Sequence, residues 1–188
     1  KVFTQNRLGV KTENNLYQQY RNLTPIQYYE LYKSSPDVRA CIDSIVRRIA
    51  TWDWVVRPTI DPRSPRFQEA SDLSAYCNTF LNRPNSSGNT WQDIMTMMVT
   101  DLLVYDAGVF ELVRGEDGSL VEIAPFLGSE FFPVNDEHGQ LLFYQQQPEL
   151  SQISETAIAE FPKDDIVYFS LFPNTRTELG TPLLESII

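Results

Sequence analysis

The sequence predicts an α+β fold, with helices first and antiparallel strands after them. Two observations predict it. Through the first hundred or so residues the apolar side chains recur every three or four positions, and beyond Gly108 they switch to a period of two broken by short polar turns. Helices and strands are therefore segregated along the chain rather than alternating, which separates α+β from α/β.

The elements follow in order. Lys1 to Asn22 is mostly polar, with Gln, Asn and Arg along its length, and reads as an extended or mobile arm. Thr24-Pro25 offers an N-cap and first turn for a short helix, "TPIQYYELYKSS". Ser35-Pro36-Asp37 starts a second helix, since Pro fits the first helical position and an acid suits the positive end of the dipole. Val38, Ile42, Ile45 and Ile49 form its apolar stripe. In "TWDWVVRP" the period changes, and Trp52, Trp54 and Val56 alternate as in a half-buried strand that Pro58 ends. The placement favours core packing for Trp52 and Trp54 over base stacking.

After the connector "TIDPRSPRF", Ala70, Leu73, Cys77 and Phe80 predict a further helix. Thr90 and Asp93 form a capping box for the next one, with Ile94, Met98, Leu102 and Tyr105 inward, Met97 and Leu103 beside them, and Gly108 closing its end. "VFELVR", "GEDG" and "SLVEIA" then predict a hairpin, as do "EFFPV", "NDEHGQ" and "LLFYQQQ". "PELSQISETAIAEFPKD" is a polar excursion, "DIVYFSLF" a strand, and "TPLLESII" the start of a last helix.

A chain of 188 residues suggests one domain with at most a small second lobe. Its formal net charge of −10 argues against tight nucleic-acid binding over the whole surface, because phosphate contacts need clustered Lys and Arg. The charge suits solubility, and also a passage through which DNA moves without sticking. Cys41 and Cys77, far apart on predicted helices, read as buried thiols of a reducing compartment. No apolar run approaches the ~18 residues of a membrane span and no signal peptide is visible. A start at Lys1 and an end within an apolar pattern at Ile188 read as a piece of a longer chain.

Chemistry is sparse. His138 is the only histidine and lies in a hairpin turn, a poor frame for a metal or a triad. There is no Gly-rich phosphate loop and no Cys-x-x-Cys spacing. Glu111 shares a strand face with Val109 and Val113 and pairs across the sheet or faces solvent. Glu116 and Asp117 are turn residues, and Asp101 and Asp106 oppose the dipole at the end of their helix without an evident reason. Arg47-Arg48 reads as a solvated helix face. The expectation is that catalytic, cofactor-binding and metal-binding residues are all none, and that the protein is not an enzyme.

Three stretches, read together, resemble tailed-bacteriophage portal proteins: "SSPDVRACIDSIVRRIATWDWVVRP", "LNRPNSSGNTWQDIMTMMVTDLLVYDAGVFELVRGEDGSLVEIAPF" and "FPKDDIVYFSLFPNTRTELGTPLLESII". Ala107-Gly108 stands where many members have Gly-Asn, Ala124-Pro125-Phe126 where a Leu-Pro is usual, and "GTPLL" where "GxSPL" is common. The likeness runs from about Ser34 to Ile188. The polar arm and short helix over 1–33 stand outside it, as does Ser151 to Glu160, and it implies a portal wing-like α+β domain over 34–188, cut before the stem and clip. It implies a structural subunit of a homo-oligomeric, usually dodecameric ring at a capsid vertex. Its partners would be the major capsid protein, the terminase large subunit, neck or head-completion proteins and double-stranded DNA passing non-specifically, with no membrane. It would reside in the virion, and in the host cytoplasm during assembly. Two other readings stand beside it. One is a non-portal viral adaptor or protein-binding module. The other is a carboxylate-dependent hydrolase using Glu111 with Asp101 or Asp106, which needs two acids ~5–10 Å apart in a pocket.

Overall fold

The computed structural model describes residues 23–147, 159–173 and 179–187. The arm Lys1 to Asn22 and most of the polar excursion, 148–158, lie outside them. Among the described residues four helices come first: α1 (Pro25–Ser34), α2 (Pro36–Ala50), α3 (Phe67–Asn82) and α4 (Trp91–Tyr105). Six described strands follow: β1 (Gly108–Arg114), β2 (Leu120–Phe126), β3 (Phe131–Asn135), β4 (Leu141–Gln146), β5 (Ala159–Pro162) and β6 (Ile166–Phe169). The α+β expectation holds. "TPLLESII" gives a 3-10 segment, Leu183–Ile187, in place of an α-helix.

The strands form two antiparallel three-stranded sheets, ordered β2-β1-β6 and β3-β4-β5. Period-two alternation gives the first sheet two apolar faces. Phe110, Leu112, Ile123 and Val167 pack toward α4, where Tyr28, Ile42, Val46, Ile94, Met98 and Leu103 complete the main core. Val109 and Ile166 face the other way and meet Phe131 and Tyr144 of the second sheet, with Phe126 and Phe161 around them. The order is thus α1 and α2, then α4, then the first sheet, then the second. α4 lies in the middle, and burying both of its sides explains its many apolar residues.

The local signals behave as their chemistry requires. Thr90 and Asp93 cap α4 reciprocally, and Thr24 with Gln27 does the same for α1. Tyr28 of α1 is fully buried in the main core and donates its hydroxyl to Glu185.

Several expectations are corrected. Ile45 is exposed, and Val46 takes its place in the α2 stripe beside Ile42. Leu73 and Met97 are exposed, and Ser74 is the buried position of α3, its hydroxyl returned to the Ala70 carbonyl. Cys41 is exposed and Cys77 half-buried, so neither is a core thiol. Gly108 does not close α4. Asp106 does so, in the left-handed region at φ 54, and Gly108 opens β1 against Met98. "TWDWVVRP" forms no strand: Trp52 is 55% exposed and Trp54 46%, and no described strand pairs with them. Both Trp residues are surface groups. β5 adds a strand inside the polar excursion.

Candidate functional site

The carboxylates around the end of α4 are the natural place to look for chemistry. α4 places Asp101 one turn before its end and Asp106 at its C-cap, and β1 places Glu111 on the central strand of the first sheet. The fold gives each a separate set of partners.

Asp106 is completely buried. Its Oδ2 accepts from the Ser170 hydroxyl at 2.7 Å, and its Oδ1 accepts from the backbone N–H of Leu171 at 2.8 Å and of Phe172 at 3.2 Å. A Cβ on Gly180 would stand 1.6 Å from Asp106 Oδ2, so the C-terminal segment packs directly on this carboxylate. Left-handed backbone is open to Asp more readily than to most residues, so one side chain both ends the helix and fixes the chain leaving β6.

Asp101 Oδ2 accepts from the Gly128 N–H at 3.0 Å. Gly128 opens the 3-10 turn Gly128–Glu130 that joins β2 to β3, and so joins the two sheets. Burial pushes the Asp101 carboxyl up to about 7, against the pull of the Gly128 N–H and with a push from Glu130. An unfolded Asp titrates near 3.9. The stability tied to protonated Asp101 is therefore fully present below about pH 4 and is lost as pH rises through about 7. Asp101→Asn keeps an acceptor for Gly128 and removes the titration. Its melting temperature is expected to match the parent protein below about pH 4 and exceed it at pH 8 by the equivalent of roughly 1–3 kcal/mol. A thermal melt series from pH 4 to 8 checks this, and parallel curves would contradict it.

Glu111 lies between Ala124 on β2 and Ile166 on β6, so neither basic partner nor open edge is directly beside it. Burial raises its carboxyl and nearby Asp165 raises it further. Asp165 is itself held by Arg114 at 3.3 Å. Asp117 is bonded to Ser119 within its turn, and His138 is exposed at the other hairpin tip, 3.7 Å from Glu137. Among the described residues no cluster of His, Cys, Asp and Glu is arranged to hold a metal. No described helix is long and apolar enough to cross a membrane.

The unexpected feature is the segment after α2. Trp52, Trp54, Val55, Val56 and Ile60 are exposed, as are Leu73 and Tyr76 on α3. Asn78 of α3 clasps this segment, accepting from Val56 N–H at 2.8 Å and donating to the Val56 carbonyl at 2.9 Å. Trp54 stands edge-on to Trp91, Trp91 to Phe110, and Phe110 reaches Phe169 on β6.

No protein-family profile matches the chain, and no curated protein matches its sequence. Solved structures do match its fold. A chain from the neck of an empty gene transfer agent (GTA) particle, computed with C6 symmetry, aligns over 83% of this chain and 38% of its own, with TM-score 0.64 and 16% identity. A chain from the virion of a native GTA particle aligns over 97% and 45%, with TM-score 0.65 and 13% identity. A chain from the neck of a native GTA particle computed with C12 symmetry aligns over 99% and 45%, with TM-score 0.63 and 14% identity. At these identities the likeness is one of fold, and this chain spans less than half the length of the chains it matches.

Proposed function

We propose that this chain is a structural subunit of a phage-type portal ring at the capsid vertex, shaping the passage for double-stranded DNA during packaging and ejection. The observation that carries the reading is the fold shared over nearly the whole chain with components of GTA particles. The same order of elements resembles the portal wing in sequence. The carboxylates add support: Asp106, Asp101 and Glu111 have separate surroundings, and the first two are committed to backbone N–H groups that hold layers together. On this reading the protein is not an enzyme and needs no cofactor. It works in the virion, with the capsid protein, terminase and neck proteins as partners, and DNA passes without sequence-specific contact.

Mass measurement on the full-length gene product tests the proposal. The expected result is a closed ring, with the C12 symmetry of one matched particle neck giving twelve copies. A second reading, a non-portal neck adaptor, predicts an oligomer of another copy number. A monomer at every concentration would overturn both.

A further inference from the structure

We propose that the outer face of α2 receives the acidic turn end of the first sheet of a neighbouring copy, as the two halves of one head-to-tail contact. This rests on the ring-subunit reading and names the surfaces that would build the ring.

The receiving half is a shallow open groove of about 590 Å³ where the end of α1 meets α2. Lys33, Arg39 and Arg47 line it, with Asp43 as its one carboxylate, so it is net positive in a chain of net charge −10. Helical geometry explains the location. Val38, Ile42, Val46 and Ile49 turn inward, which leaves Pro36, Ala40, Ser44 and Arg47 on the opposite side. Arg39 is paired with Asp43 at 3.5 Å, while Arg47 has no ion-pair partner among the described residues.

The entering half is the end of the first sheet where the β1–β2 and β5–β6 turns meet, tied together by Arg114 and Asp165. It exposes Glu116, Asp117 and Asp164 against Lys163 and Arg114, with Asp165 half-buried among them. Neither Glu116 nor Asp164 makes an ion pair with a described residue. The two halves belong to different elements: α2 and the first sheet each pack on α4 and make no extensive contact with one another. A rotational ring needs two different, complementary faces of one subunit, and these are such a pair.

Other occupants fit less well. Three cations interrupted by Asp43 cannot follow a duplex backbone, and a net charge of −10 opposes DNA. The arm over 1–22 has Lys1, Arg7, Lys11 and Arg21 against Glu13, so the groove repels it. The segment 148–158 is acidic through Glu149 and Glu155, and an internal contact with it is an outcome of the test.

The test is sedimentation and native mass of the full-length gene product at low and high salt, with two charge reversals: Arg39→Glu with Arg47→Glu, and Glu116→Lys with Asp164→Lys. Each reversal alone is expected to weaken self-association on the order of 100-fold, and salt to weaken the parent protein's association. Mixing the two reversed proteins should restore assembly, since every contact in an alternating ring again joins opposite charges. Circular dichroism checks the fold, and Arg39→Gln with Arg47→Gln is read instead if a reversed protein misfolds. An oligomer indifferent to these changes, or a mixture that stays apart, overturns this contact while leaving the ring reading intact. A parent protein that never associates overturns both. Reversal that lowers monomer stability without changing assembly assigns the groove to segment 148–158. Loss of short-duplex binding with assembly unchanged assigns it to DNA. Either result overturns the proposal.

Discussion

Asp106→Ala is expected to destabilise the protein by about 4 kcal/mol, a large part of the ~5–15 kcal/mol that holds a domain of this size together. Two costs combine. The carboxylate is fully buried, and its removal leaves the Ser170 hydroxyl and the Leu171 and Phe172 N–H groups without their acceptor. Orphaning a donor costs about 1–3 kcal/mol when it is buried; these bonds are part-buried, with Leu171 and Phe172 half exposed, so water offsets part of that and the three costs do not simply add. The second cost is conformational: at φ 54 an Ala side chain is disfavoured by roughly 1–2 kcal/mol. Two further variants separate these costs. Asp106→Gly removes the backbone strain and keeps the loss of the acceptor, so it should recover roughly 1 kcal/mol over Ala. Asp106→Asn tolerates the left-handed region and retains one acceptor oxygen, so it should be the mildest of the three. Urea unfolding midpoints give the ranking. A stability of the Ala protein within about 1 kcal/mol of the parent would show that the segment after β6 is held by something other than this carboxylate.

The same residue marks the limit of what the sequence discloses. Asp106 reads as an acid at the wrong end of a helix because its partners lie 64 to 66 residues further on. Only the fold brings them together. Where cause and effect are local, the sequence is legible. The Thr90–Asp93 box and the "GEDG" hairpin need only neighbours, and both form as expected. The α2 stripe shifts by one position, from Ile45 to Val46, because adjacent β-branched residues satisfy almost the same helical periodicity and only packing against α4 chooses between them. The Trp52 and Trp54 alternation is a sound strand signal, yet a strand requires a partner, and none of the described strands supplies one. β5 is four residues long and ends in Pro162, too short for periodicity to register. Of the candidate surfaces, the charges were legible but their gathering into a basic groove on α2 and an acidic turn end on the first sheet was not, since that depends on the order of layers.

Gly128→Ala should be nearly as damaging, by about 3 kcal/mol, for a steric reason alone. An added Cβ would stand 1.7 Å from the Ala107 carbonyl oxygen and 2.6 Å from its carbon. Both are backbone atoms, so no side-chain rotation relieves the clash. The turn joining the two sheets must move away from the end of α4, which stretches the bond from Gly128 N–H to Asp101 and presses on the residue next to Asp106. The comparison is Gly118→Ala. Gly118 has φ 79 but open space around it, so it should cost only the left-handed penalty of roughly 1 kcal/mol. Denaturant midpoints rank the two, and hydrogen exchange at the Leu171 and Phe172 amides should quicken in the Gly128 variant and not in the Gly118 one. Equal costs would mean that the joint yields freely. A yielding joint would let the two sheets shift relative to the helices, and a ring subunit that must match its neighbour on two faces at once depends on their staying fixed.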